Sequence, residues 1–175
     1  MSADFVHLHT HSSYSPMYGV PTLEALCEAV RRQGCTTLAL TDRSGLYGAI
    51  RFLDVARAAG LQPILGVELL HDTHRAVLLA KTPEGYANLC RLLSAHHCDA
   101  SFHFIESVAQ HRAGLVILSD DGPALRAWRD ASLDDMYVEL TPGPQLHDAV
   151  LLSRQLGLPP VATTRAAFLQ PTEYH

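Results

Sequence analysis

Phe5-Val6-His7-Leu8-His9-Thr10-His11-Ser12 is a short apolar run that ends in alternating histidines. An extended chain turns alternate side chains to one face, so a first strand is predicted over Val6 to His9. His7 and His9 then project together, about 7 Å apart by the rise of a strand. Two imidazoles side by side at a strand end supply a first pair of ligands for a divalent metal. They equally suit a polar strand end with solvated histidines, and spacing alone does not separate the two readings.

Outward from this segment, strand-like runs alternate with helical periodicity. Thr22 caps a helix whose apolar face is Leu23, Leu26, Cys27 and Val30, stopped by Gly34. A strand over Thr36 to Leu40 follows, then a helix containing Ile50, Phe52, Leu53 and Val55 up to Gly60. Pro63 to Val67 and Ala76 to Ala80 read as strands. Thr82-Pro83-Glu84 opens a helix with proline at its first position. The stretch from His96 to Phe104 reads as a loop, and Ile105 to His111 as a short helix. Beyond it the pattern gives strand Leu115–Leu118, helix Pro123–Trp128, strand Met136–Leu140, helix Leu146–Leu156 closed by Gly157, and a last strand Pro160–Thr163.

A series of this kind predicts a parallel sheet with right-handed crossovers, open or closed into a barrel. In a barrel the working residues lie at the carboxyl ends of strands. Polar residues sit at those ends here: His7 and His9, Thr41-Asp42-Arg43, Glu68, Ser119-Asp120-Asp121, Glu139 and Thr163-Thr164-Arg165.

The bulk numbers bound the class. A chain of 175 residues, 47% apolar and 18% charged, suits one globular domain over 1–175. A net charge of −5 argues against a strongly basic nucleic-acid clamp. No apolar run reaches membrane-spanning length, and Met1 leads into polar residues rather than a signal peptide, so the expected location is cytoplasmic, without membrane contact. Cys27, Cys35, Cys90 and Cys98 form no C-x-x-C pair; reduced thiols are expected, with Cys27 and Cys90 on apolar helix faces.

Four segments together resemble the PHP (polymerase and histidinol phosphatase) domain at the amino terminus of bacterial C-family DNA polymerase III alpha subunits. They are Phe5–Ser12 with Tyr14-Ser15, Leu40-Thr41-Asp42-Arg43 with Gly45–Ala49, Leu65-Gly66-Val67-Glu68, and Val161-Ala162-Thr163-Thr164. Leu78–Lys81 and Glu84–Leu89 resemble the polymerase branch more than stand-alone phosphatases. The resemblance implies a distorted seven-stranded β/α (TIM-like) barrel, with truncation at its C-terminal end left open. It also implies strand ends that hold up to three divalent metals in members that hydrolyse phosphoesters.

On that resemblance His7 and His9 stand at the first metal-ligand positions and Glu68 at the bridging carboxylate. Expected ligands are missing at four places: Tyr18 replaces an aspartate, Arg43 a histidine, Arg165-Ala166-Ala167 a late Asp-x-His pair, and Thr141–Pro144 lacks a histidine. His7, His9 and Glu68 suffice for one weakly held zinc, manganese or magnesium ion at most, so no cofactor is the expectation. Asp42, Arg43 and Arg165 are additional polar site residues, since a guanidinium pairs with carboxylates in a fork geometry. The alternative is that both arginines face solvent.

The implied function is a non-catalytic structural and docking module with a degraded metal site, in DNA replication or repair. Its partners would be the remainder of a polymerase subunit or a separate exonuclease, with nucleic acid contacted indirectly. Two alternatives stand: an active metal-dependent phosphoesterase or 3′–5′ proofreading exonuclease, drawing replacement ligands from His11, Asp42, His71, His74 or Asp120, and an amidohydrolase-like metallohydrolase. Of the remaining candidates, Ser119-Asp120-Asp121 reads as a helix cap, Trp128 and Tyr137 as packing residues, and the His71/His74 and His96/His97/His103 groups as solvated loops.

Overall fold

The structure, a computed structural model, describes residues 5–170. Six helices and six strands follow the order α1(Leu23–Arg32) β1(Thr37–Leu40) α2(Ala49–Ala58) β2(Gln62–His71) β3(His74–Ala80) α3(Pro83–Cys98) α4(Phe104–Gln110) β4(Leu115–Ser119) α5(Gly122–Asp130) β5(Met136–Leu140) α6(Leu146–Leu156) β6(Pro160–Ala162). The strands form one mixed sheet in the order β1-β2-β3-β4-β5-β6, curled as a half-barrel with the helices on its convex side.

Local chemistry accounts for three helix starts and one helix stop. Thr22, Thr82 and Asp121 each accept a backbone N–H of the first turn, from Ala25, Gly85 and Ala124. Gly157 closes α6 in the left-handed region, φ 66°, where glycine carries no steric cost.

Alternation along the strands sorts the core. Val67, Leu69, Ala76, Leu78, Ile117 and Val138 face the helices and pack with Leu89, Leu92, Leu125 and Trp128. Val77, Leu79 and Leu118 face the concave side with Ala39 and Leu8. The two-residue period therefore puts Glu68, Arg75 and Glu139 on the concave face as well. At the opposite end that face is apolar and lines an open cavity of about 680 Å³ bordered by Leu8, Ile64, Val116, Tyr137 and Val161 among others.

Three expectations are corrected. First, the sheet is not all-parallel: β3 runs antiparallel to both β2 and β4. The turn at Asp72-Thr73, with Asp72 at φ 52°, joins His71 directly to His74, so these residues form a hairpin rather than a loop cluster. Second, the stretch at His96 is not loop, because α3 continues to Cys98. His96 Nε2 donates to the Leu70 carbonyl and His97 Nε2 to that of Ser44, which anchors the extra turn to β2 and to the loop after β1. Third, Cys90 is exposed, whereas Cys27 is buried.

The first segment also departs from a regular strand. It makes isolated bridges, His7 with Leu38 and Thr10 with Ala166. Its backbone still runs beside β1, where Ala39 N donates to His7 O and Thr41 N to Thr10 O. On its other side His11 N donates to Ala166 O and Ala166 N to His9 O. Alternation breaks between Leu8 and His9, both of which lie on the concave side.

Candidate functional site

The polar end of the concave face is built from the first segment, the carboxyl ends of β1, β2, β4, β5 and β6, and the amino end of β3. The antiparallel hairpin is what brings that last contribution: it sets Arg75, at the start of β3, beside the carboxyl half of β2.

Glu68 is the hub. Its carboxylate is fully buried and accepts from Arg43 Nε on Oε2 (2.9 Å) and from Arg165 Nη2 on Oε1 (3.2 Å). Arg75 Nη1 stands 3.4 Å from Oε1, His9 Nε2 3.4 Å from Oε1 and His11 Nε2 3.7 Å from Oε2. Arg75 extends the network, reaching Glu139 at 3.1 Å and Asp120 at 2.6 Å. Glu139 Oε1 in turn accepts from His9 Nδ1 (2.6 Å) and Thr163 Oγ1 (2.7 Å).

The ionisation pattern follows. Burial opposes charge on His9, but its hydrogen bonds to Glu139 and Glu68 outweigh this and raise its pKa. Burial and the neighbouring His9 push His11 down to about 3, so it stays neutral. Burial alone would raise the pKa values of Glu68 and Glu139; the hydrogen bond and charge of His9, joined by the arginines, hold both below the usual carboxylate range. A protonated His9 thus directs Nε2–H toward His11 Nε2, 3.1 Å away, and Glu68.

Asp42 is buried but takes no part in the arginine network. It accepts from Ser12 N (2.7 Å), Ser12 Oγ (2.8 Å) and Ser15 Oγ (2.6 Å), and burial raises its pKa despite these bonds. His7 stands apart: Nδ1 lies 3.1 Å from Thr164 Oγ1 and Nε2 3.0 Å from Gln33 Oε1. Tyr18 meets His11 edge-on at 4.7 Å and places its ring 3.3 Å from the Arg43 guanidinium carbon. An arginine over a tyrosine face is a cation–π contact, so the residues at the expected aspartate and histidine positions now bind each other.

Of the residues singled out in the sequence, His9 and Glu68 come together with Arg43 and Arg165; Asp42 adjoins through Ser15, and His7 lies outside the group. Asp121 caps α5 as expected, and Trp128 is fully buried. Sequence reasoning missed Arg75 and the pairing of Glu139 with His9.

His9, His11 and Glu68 form the one group among the described residues with metal-ligand spacing. His9 Nε2 and His11 Nε2 lie 3.1 Å apart and stand 3.4 Å from Oε1 and 3.7 Å from Oε2 of Glu68, with one ligand atom of each residue within 4.8 Å of the others. The bond from His9 Nδ1 to Glu139 is the carboxylate–histidine support such ligands use. Distance therefore allows one ion. Charge works against it, because guanidinium groups already bond both oxygens of the ligating carboxylate.

The chain is 34% identical to an error-prone DNA polymerase of Mycobacterium bovis over 98% of its own length, and 30% identical to a DNA polymerase III subunit alpha of Pseudomonas fluorescens over 99%. It spans only 19% and 18% of those proteins. A Bacteroides vulgatus two-domain protein, described as containing a predicted PHP-like metal-dependent phosphoesterase, superposes with a TM-score of 0.71 at 11% identity, over 96% of this chain and 52% of that one. That likeness bears on the fold alone. The PHP domain model matches residues 7–148, a span that carries His9, Glu68 and Glu139, and on this match the chain belongs to the PHP domain family.

Proposed function

We propose that this PHP domain is a non-hydrolytic structural module of a C-family DNA polymerase, in which a buried ion-pair network occupies the place of the family's metal centre. The observation that carries the reading is the convergence of Arg43, Arg75 and Arg165 on Glu68. A carboxylate left buried without a cation costs several kcal/mol. Three guanidinium groups compensate it permanently, since arginine does not deprotonate in proteins. A two-metal phosphoesterase needs a larger shared ligand set than the three residues grouped here.

In this reading the first segment, hydrogen-bonded to β1 on one side and Ala166 on the other, takes the seventh strand position and closes the barrel. The domain works in the cytoplasm during replication or repair. Its partners are the rest of the polymerase chain or a separate exonuclease, and it touches nucleic acid through them. Length supports the assignment to a larger assembly, as the curated relatives are about five times longer.

One observation favours a second reading. The spacing of His9, His11 and Glu68 suits a single zinc, manganese or magnesium ion, which would supply Lewis-acid polarisation of a phosphoryl oxygen. Metal analysis of the purified protein, together with phosphoesterase and 3′–5′ exonuclease assays in added manganese or zinc, separates the two. Metal-free, inert protein is expected. Stoichiometric metal with turnover abolished by His9→Ala would overturn the structural reading.

A further inference from the structure

Between the first segment and β6 the barrel is closed at its polar end only. There Ala166 N donates to His9 O and His11 N to Ala166 O, and His7 Nδ1 lies 3.1 Å from Thr164 Oγ1. Alongside β6 itself, no backbone hydrogen bond crosses this seam among the described residues. Peptide geometry identifies the groups that line it, because N–H and C=O of a trans peptide point in opposite directions. His7 O accepts from Ala39 N of β1, so Leu8 N–H points away from β1 and into the seam. Leu140 O accepts from Thr163 N, so Ala162 C=O points away from β5 and into the seam from the other side. Ala162 also stands opposite Leu140 in the parallel register, the position whose own N–H and C=O are turned from the partner strand.

Main-chain donors and an acceptor thus face the seam unpaired, and Ala162 is exposed. Unpaired strand edges are a template for a further strand unless charge, proline or a covering element blunts them. Neither edge carries a lysine, an arginine or a carboxylate over Phe5–Leu8 or Pro160–Ala162, and Pro160 stands only at the first position of β6. The seam also opens inward. Leu8 on one side and Val161 on the other both border the open apolar cavity of about 680 Å³. Such a volume lies within the range of about 300–1,000 Å³ usual for binding sites. Its rim is electrically balanced, since the Lys81 ammonium is held by Asp135 at 2.8 Å. An uncharged, aliphatic occupant fits that space better than an ion.

We propose that this seam is a strand-addition site for an extended peptide segment of a partner protein, one with aliphatic side chains at alternate positions. A strand laid between the first segment and β6 bonds Leu8 N–H on one side and the N–H and C=O of Ala162 on the other. Its period of two turns every second side chain into the cavity. Main-chain bonds give such a complex its affinity, and the pocket for alternate side chains gives its preference for valine, isoleucine or leucine. The paired stretch is short, because β6 runs only over Pro160–Ala162. The site lies at the far end of the barrel from Glu68 and is independent of whether that end holds a metal.

The test titrates the whole chain with an acetylated peptide of alternating valine and threonine flanked by lysines, read by calorimetry and by amide hydrogen exchange. In the free protein the amides of Leu8 and Ala162 should exchange quickly, whereas the paired amides of Ala39 and Thr163 are protected. The peptide should bind saturably and slow exchange at Leu8 and Ala162 about tenfold or more. Ala162→Pro removes an edge N–H without touching the β5 ladder, and should weaken binding about two- to tenfold, the worth of one hydrogen bond. Val161→Asp sets a charge in the cavity wall and should weaken it about tenfold or more. Serine in place of the peptide's valines should do the same. Circular dichroism confirms that each variant is folded. Leu8 and Ala162 amides already as slow as that of Ala39 in the free protein would overturn the open seam. No saturable binding, or binding unchanged by the serine peptide or in either variant, overturns the proposal. So does a concentration-dependent dimer abolished by Ala162→Pro, which makes a second copy the occupant. Each of these results leaves the reading of the polar end untouched.

Discussion

Glu68→Gln keeps the shape of the hub side chain and removes its charge. In the native protein five nitrogens lie within 3.7 Å of that carboxylate, from Arg43, Arg165, Arg75, His9 and His11. Removing one partner of a buried ion pair costs about 3–5 kcal/mol, because the remaining charges stay desolvated. Arg43 and Arg165 have side chains 32% exposed, so water takes up part of their charge. That places the loss at the lower end, about 3 kcal/mol. Domains of this size lose about 2–4 °C of Tm per kcal/mol, which gives a fall of about 6–12 °C. The assay is urea unfolding at pH 7 in EDTA, following far-UV circular dichroism, with the slope checked to be unchanged. A variant as stable as the parent, or more stable, would refute the argument, since desolvation of the network would then exceed its Coulombic gain.

Other perturbations follow from the same network. Arg75→Met should destabilise to a similar degree, and in combination with Glu68→Gln the two losses should fall short of additivity by at least about 0.5 kcal/mol in a urea double-mutant cycle; strict additivity would show that the pair does not interact. Stability should peak near pH 6.5. Below that value the unfolded chain protonates His11 while the folded chain, with His11 near 3, does not, so stability drops by up to about 1.4 kcal/mol per pH unit. Above it the raised pKa of His9 reverses the sign, because the folded state holds the extra proton and stability is lost as pH rises through the folded value. Asp42, also raised, opposes the acid limb closer to pH 4, so urea midpoints between pH 5 and 8.5 are the measurement, and a monotonic profile contradicts this account. Finally, Tyr18→Asp, Arg43→His and Arg165→Asp together return ligand chemistry to three positions, and manganese electron paramagnetic resonance should then detect about one bound ion absent from the parent; an unchanged spectrum would show that more than these three positions was lost.

Much of the fold was legible because local chemistry wrote it. Thr22 and Gly34 bracket α1, Thr82-Pro83 opens α3, and Leu146 to Leu156 with Gly157 marks α6 residue for residue. The reversal of β3 was not legible. Asp72-Thr73 lacks the Asn-Gly or Asp-Gly signature of a tight hairpin, and an apolar run does not state its direction. Arg75 was hidden for the same reason: in a parallel sheet the start of a strand lies far from the site. The three histidines of the first segment were plain, yet which of them point inward depends on the break at Leu8-His9, a consequence of packing against Val77 and Leu118. The partner of His9, Glu139, lies 130 residues away, a separation that no local pattern encodes.

The Asp72-Thr73 turn carries a consequence of its own. Side chains along β3 alternate strictly, so a single residue inserted at this solvent-facing corner would slide the strand by one step. Arg75 would then swing out among the helices and His74 would take its place opposite Leu70, leaving Glu139 and Asp120 without their shared guanidinium. A surface corner two residues long thereby governs whether the interior is electrically balanced, and its tolerance to insertion should be the lowest of any exposed bend in the molecule.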